Sequence, residues 1–270
     1  MVQAIAMIGA GSMSEAIIAG MVKQAFIPSE HIFVMNKNNE VRLKLLRETY
    51  GITYIQTDKS TLSEVDVVVL SVKPKDIPVA IQSIKSELHS NQLIISVAAG
   101  VSTDTIQKEI GLEIPVIRAM PNTSATIGYS ATAIAKGTYA TNQHIDMAKQ
   151  LFNTIGMAVE VAEKNIDIVT GISGSGPAYI YYLVEAMAAE ATALGLEADI
   201  AQALINQTII GAGQMLAQSG ETAKALRENV TSPNGTTEAG LKTLATYDFQ
   251  TAIRSCVKSA TDRAAELGKK

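Results

Sequence analysis

A single cysteine, Cys256, stands among 270 residues. That excludes an internal disulfide framework and fits a reducing compartment, so a cytoplasmic protein is expected. No run approaches the roughly 18 apolar residues of a membrane span. Strand character begins almost at Met1, so no signal peptide is expected. Charge of one sign is also missing: 22 basic against 26 acidic residues leave a net −4. Such a balance argues against nucleic acid or an anionic membrane as the main partner. Histidine is scarce. His31, His89 and His144 all fall in polar connecting stretches, where none suits a proton shuttle. No His, Cys, Asp or Glu spacing suits a metal. Cys256 shares the apolar face of the last helix with Ile253 and Ala260, so it reads as core.

What the chain does have is apolar residue, 47% of the total, enough for two cores. Its most informative stretch is Gln3 to Ser14. A short apolar strand runs into Gly9-Ala10-Gly11, and an apolar helix pattern follows at once. In a dinucleotide-binding βαβ unit the first glycine makes the tight turn. The second lets backbone approach the pyrophosphate, which rests on the free N–H groups of the helix N-terminus. The third motif position holds Ser14, whose hydroxyl is expected to loosen the strand–helix contact slightly.

β-Branched runs recur at 32–35, 65–72, 93–98, 116–119, 131–135 and 157–161, with helix-like stretches at 40–50, 75–87 and 103–110. Alternation of this kind predicts an α/β fold, a Rossmann-type doubly wound and mostly parallel sheet. After about residue 163 strand signals vanish, and an all-α part follows with helices near 177–194, 198–218, 223–228, 237–245 and 249–267. The division predicted is therefore 1–162 for nucleotide binding and 163–270 for a helical domain. The second of those helices is apolar on more than one face, which predicts packing against a second subunit.

The second strand ends at Asn36-Lys37-Asn38-Asn39, with no carboxylate to hold a ribose 2′-hydroxyl. Lys37 and its asparagines suit a 2′-phosphate, so NADP is favoured over NAD. Ser71-Val72-Lys73-Pro74 and Ala98-Ala99 close two further strands with small residues that let a nucleotide lie across the edge. Lys73 suits either a phosphate or solvent. Gly171 to Tyr179 opens a long helix, with Pro177 in its first turn and glycines that suit either a cofactor or a neighbouring helix. Asn229-Val230-Thr231-Ser232-Pro233-Asn234-Gly235-Thr236-Thr237 leads into another helix; a hydroxyl-rich turn there suits a carboxylate. An anion cradle with no strong base nearby fits a substrate that hardly needs one, such as a cyclic imine.

Taken together, Gly9 to Met13, Val72 to Pro74, Ala98 to Val101, Arg118 to Thr123, Gly174 to Tyr179 and Val230 to Thr237 resemble the pyrroline-5-carboxylate reductase family over nearly the whole chain. The last segment is that family's own signature. The resemblance implies NAD(P)H-dependent reduction of 1-pyrroline-5-carboxylate to L-proline, NADPH being preferred and NADH possible. It implies Thr237 as the catalytic residue, with Ser232, Gly235, Thr236 and Thr237 around the substrate carboxylate and ring nitrogen. Glu163 and Asn229 match positions lining the substrate or nicotinamide site. Gly9, Ala10, Gly11, Ser12 and Met13 would meet the pyrophosphate, Asn36, Lys37 and Asp58 the adenosine end, and Ser71, Val72, Lys73, Pro74, Ala98 and Ala99 the middle of the cofactor. A homodimer or decamer is implied as well.

Three departures stand out. Asn234 replaces a usual glycine, a mild change because asparagine tolerates left-handed backbone. Glu238 follows the threonine pair, suiting the helix dipole but opposing a carboxylate if it turns inward. Asp58 replaces a frequent asparagine. Two rival readings are a β-hydroxyacid dehydrogenase and a non-catalytic NADP-binding sensor. The first needs a lysine at the ninth position after Gly171, where Ile180 stands; the second predicts a degraded helical turn, yet Thr236 and Thr237 are intact.

Overall fold

Short strands of almost nothing but aliphatic residues organise the first half of the chain. The computed structural model describes residues 2–56 and 58–268. In order come β1 (Ile5–Ile8), α1 (Ser12–Lys23), β2 (Ile32–Met35), α2 (Glu40–Tyr50), β3 (Thr53–Ile55), β4 (Val67–Leu70), α3 (Ile77–Ile84), β5 (Leu93–Ser96) and α4 (Thr103–Ile110). They are followed by β6 (Val116–Met120), β7 (Ser130–Lys136), α5 (Asn142–Asn153), β8 (Gly156–Glu160) and α6 (Ile166–Val169). One sheet in the order β3-β2-β1-β4-β5-β6-β7-β8 contains all of these strands, and every pair is parallel except β6 with β7.

β1, β4 and β5 are buried at every position because the sheet is covered on both faces. Ile5, Met7, Val67, Val69 and Ile95 point to one core with Ile17, Ile18 and Met21 of α1. Ala6, Ile8, Val68, Leu70 and Ile94 point to the other, under Ile81 of α3 and Ile106 of α4. Each of these large aliphatic side chains contributes about 2 kcal/mol of burial.

The doubly wound, mostly parallel sheet expected from the alternation is therefore present. Within it the segment 75–87 is not one helix: 3₁₀ turns flank α3 at Pro74–Asp76 and Lys85–Glu87. β4 stops at Leu70, which leaves Ser71 and Val72 in the loop beyond it.

α7 (Gly176–Ala193), α8 (Ala198–Gln218), α9 (Ala223–Asn229), α10 (Thr236–Thr246) and α11 (Phe249–Leu267) complete the chain. By internal contacts Gly176–Val257 forms a second compact unit of helices alone. Taken by itself it is thinly buried: α7 has no buried residue, and α8 buries only Ala201 and Ile205. Cys256 is half-buried and Ile253 exposed, so the face expected to be core is not enclosed by this chain. No helix among the described residues is long and apolar enough to cross a membrane.

Candidate cofactor and substrate sites

Register places four strand ends side by side. Ile8 lies opposite both Met35 and Leu70, and Leu70 opposite Ser96. The chain leaves β1 toward β2 on one side, while β4 adds on the other, so a crevice opens beyond the carboxyl ends of these strands. Gly9–Met13, Asn36–Lys37, Ser71–Pro74 and Ala98–Ala99 all follow those ends. The structure thus brings these expected cofactor residues to one edge of one unit, while Asp58 follows the end of β3.

Gly9 is fixed by crowding. Its φ is +116°, and a Cβ there would overlap the carbonyl oxygen of Ser71. Its N–H donates to Met35 O at 2.8 Å, and Ser71 N–H donates to Ile8 O at 2.8 Å. Gly11 is different. Its φ of −77° suits any residue, and a Cβ would meet no protein atom within 4 Å. Neither backbone nor packing demands glycine there, and open space at the entrance of α1 is what close approach of a pyrophosphate needs. Gly11 caps α1 without a side-chain bond, so the first N–H groups of Ser12, Met13 and Ser14 keep no partner inside the helix. These residues fit a dinucleotide.

Ser14 does not loosen this contact. Fully buried, its hydroxyl donates to Gly9 O at 2.7 Å and fastens the loop to the helix. A second fastening was not legible in the sequence. Arg42 of α2 donates through Nε to Ala10 O at 3.0 Å and pairs through Nη2 with Glu15 of α1. Tyr50 donates to the same carboxylate at 3.3 Å, and its phenol is pushed up first by burial and then by the charge of Glu15.

Around the second strand end, Asn36 Oδ1 accepts the N–H groups of Asn38 and Asn39, both at 3.1 Å. Asn39 in turn caps α2 through Arg42 N–H at 2.9 Å. Lys37 and Lys73 are exposed, with no ion pair among the described residues. Asp58 is exposed, and the Ser60 N–H at 2.9 Å holds its carboxyl below the usual range. Ala98 is buried, and Ser71, Val72 and Ala99 are half-buried.

Glu163 binds at home. Its two oxygens accept the N–H and hydroxyl of Thr103 at 2.7 and 2.6 Å, where α4 begins just beyond Ala98–Gly100. One turn later Asp167 pairs at 2.9 Å with Arg118 of β6. Arg118 is 5% exposed, and its Nε has no partner. Asn122 then donates to Ser173 O at 2.9 Å. These three ties hold residues 163–175, which end in a wide π-type turn at Thr170–Gly174 before α7.

In the helical unit, the signature turn is built around Gly235. A Cβ there would overlap the hydroxyl of Ser232, so only glycine lets that side chain approach. Asn234 has φ +58°, the left-handed conformation that asparagine tolerates. Thr243 and Thr246 of α10 donate back to carbonyls four residues earlier. Thr236 and Thr237, in the first turn, have no such carbonyl. Among the described residues the hydroxyls of Ser232, Thr236 and Thr237 have no partner, and Gly235 caps the helix without a side-chain bond. An anion there meets free N–H groups and free hydroxyls. Glu238 accepts Asn234 N–H at 2.9 Å and pairs with Lys242 at 3.2 Å, which neutralises it. Asn229 donates to Glu221 at 2.8 Å. A cavity of about 650 Å³ opens beside the turn, lined by Thr231, Leu241, Leu244 and Phe249 among others, but not by Ser232 to Thr237.

Residues 163–267 match the family model described as pyrroline-5-carboxylate reductase dimerisation, and residues 4–100 match NADP oxidoreductase coenzyme F420-dependent. The chain is 44% identical to pyrroline-5-carboxylate reductase 2 of Bacillus subtilis (strain 168), over 97% of this chain and 94% of the relative. Among solved structures, a pyrroline-5-carboxylate reductase from Coxiella burnetii superposes with TM-score 0.92 at 32% identity, covering 99% of each chain. The Plasmodium falciparum pyrroline carboxylate reductase with NADP bound superposes with TM-score 0.86 at 26% identity, covering 98% of each.

Proposed function

Because this chain belongs to the pyrroline-5-carboxylate reductase family, we propose that it reduces 1-pyrroline-5-carboxylate to L-proline with NADPH, NADH being the possible alternative. One observation carries the reading: free hydroxyls and free N–H groups converge on the turn Ser232–Thr237, in a chain whose sheet edge fits a dinucleotide. Bound NADPH supplies the hydride. The C=N carbon accepts it, the ring nitrogen keeps one proton from solvent, and L-proline and NADP⁺ result.

The chain's own part is binding and alignment. Ser232, Gly235, Thr236 and Thr237 hold the substrate carboxylate, and the Thr237 hydroxyl stands by the ring nitrogen. By the resemblance, Glu163 and Asn229 serve the substrate or nicotinamide site; within their own units Glu163 is steadied by Thr103 and Asn229 by Glu221. Gly9, Ala10, Gly11, Ser12 and Met13 hold the pyrophosphate, and Asn36, Lys37 and Asp58 the adenosine end. Ser71, Val72, Lys73, Pro74, Ala98 and Ala99 line the middle of the cofactor.

We assign residues 1–162 to NADP binding and 163–270 to substrate binding and dimerisation; the dimerisation model matched at 163–267 supports that division. The chain is an oligomer acting on a small molecule, and we take the homodimer as its unit, with a decamer as the larger assembly. The lone cysteine supports a cytoplasmic setting.

Purified protein is expected to oxidise NADPH only when 1-pyrroline-5-carboxylate is supplied. Thr237→Ala is expected to lower kcat/KM at least about tenfold, the worth of one hydrogen bond to a charged group. Unchanged turnover and KM in that variant would refute the cradle.

A further inference from the structure

Glu15 is an awkward residue in its place. It sits in the first turn of α1, the helix whose N-terminus faces the proposed pyrophosphate site. A carboxylate normally suits that position because it complements the helix dipole. Here it would compete for the same positive end as the ligand's two phosphates, and at close range like charges repel. Its carboxylate is within one guanidinium's width of the phosphate loop, since a single Arg42 side chain binds both Ala10 O and Glu15. Both ends of that pair are partly shielded, and Tyr50 adds a hydrogen bond to the free carboxylate oxygen. Arg42 is itself anchored through its backbone by Asn39, in the loop that receives the adenosine end.

We infer that Arg42 is a positioning residue of the cofactor site: it cancels the charge of Glu15 beside the pyrophosphate and holds the Ala10 carbonyl, setting affinity for NADPH and NADH alike. This rests on the cofactor reading above. It differs from a 2′-phosphate contact, which would favour NADPH alone. It also differs from a purely structural pair, whose loss would lower the melting temperature of the unliganded protein with no matching loss of nucleotide affinity.

The test is titration of the full-length protein with NADPH and with NADH, followed by nucleotide fluorescence, with thermal melts of the unliganded protein alongside. Arg42→Gln is expected to weaken both nucleotides by a similar factor, roughly tenfold, leaving their ratio unchanged. Glu15→Gln alone is expected to bind both at least as tightly as the parent. The double variant is expected to return to within about twofold of the parent, because no charge is left to cancel. Arg42→Lys keeps the charge and is expected to stay within about threefold, so the inference is tested even where Arg42→Gln fails to fold.

Selective loss of NADPH in Arg42→Gln overturns the inference, as does a double variant no better than Arg42→Gln or weaker binding in Glu15→Gln. If the parent binds neither nucleotide, the cofactor reading falls and this inference falls with it.

Discussion

Gly9 and Gly11 stand two residues apart, yet alanine tests a different property at each. At Gly9 the new Cβ meets the Ser71 carbonyl while φ is +116°. Gly9→Ala is therefore expected to cost roughly 3 kcal/mol of stability, from strain and overlap together. A denaturant melt of the unliganded protein measures it. At Gly11 the Cβ meets open space, so Gly11→Ala is expected to change stability by less than about 1 kcal/mol. Its effect falls on NADPH, whose Kd is expected to rise about tenfold as backbone approach is lost. If both variants melted alike and bound alike, the two glycines would share one role and the loop argument would be wrong. The pattern Gly-Ala-Gly is legible in the sequence; which glycine serves the fold and which the ligand is not, because the Ser71 carbonyl comes from the loop after β4, far along the chain.

Elements were legible where apolar residues recur with a period. α2, α4, α8 and α11 run over the residues their apolar spacing predicts. β3 escaped because only Ile55 of its three residues is buried, which leaves no run to detect. α5 was missed although its signal exists: Ile145, Ala148, Leu151 and Phe152 recur at helical spacing and are all buried. Its first turn also holds a pH-sensitive cap. Thr141 N–H donates to His144 Nδ1 at 3.0 Å, an arrangement that requires the neutral ring, and burial lowers the histidine's pKa. With the folded pKa below the unfolded one, the unfolded chain binds more protons in the window between them. The stabilisation is thus complete above about pH 6.5 and fades as pH falls through the folded value. His144→Gln preserves a capping-box acceptor without titrating. The variant's Tm is expected to drop less than the parent's between neutral and mildly acidic pH; equal drops would remove His144 as the cause. The Arg118–Asp167 pair is a second long-range tie between elements that no local pattern announces. Asp167→Asn keeps an acceptor but removes the counter-charge of a buried guanidinium, and is expected to cost about 3 kcal/mol, read by denaturant melts.

For the molecule as a whole, the informative fact is apolar surface left uncovered by the chain's own helices. A doubly wound half and a helical half follow from composition and periodicity, and the excess of apolar faces on the second helix was visible there too. What covers those faces is invisible to a single sequence, since it lies outside the chain. In the structure Leu204 and Ile210 of α8 are 59% and 56% exposed, and Met215 and Leu216 of the same helix are exposed as well. On a helix facing solvent, Ile210→Glu would be close to neutral, within about 0.5 kcal/mol, because glutamate is the better helix former and no packing is lost. On a helix covered by a second copy, the same change places a carboxylate in an apolar interface and costs several times that figure. Light scattering separates the cases: the parent is expected at a multiple of 28.6 kDa, and Ile210→Glu at the mass of one chain or at a strongly concentration-dependent mean. Turnover per chain in the variant is then expected to fall on dilution and recover on concentration, because assembly obeys mass action. A variant that keeps both the parent's mass and its dilution-independent turnover would show that α8 faces water, and the interface would have to be sought on α7 or α11.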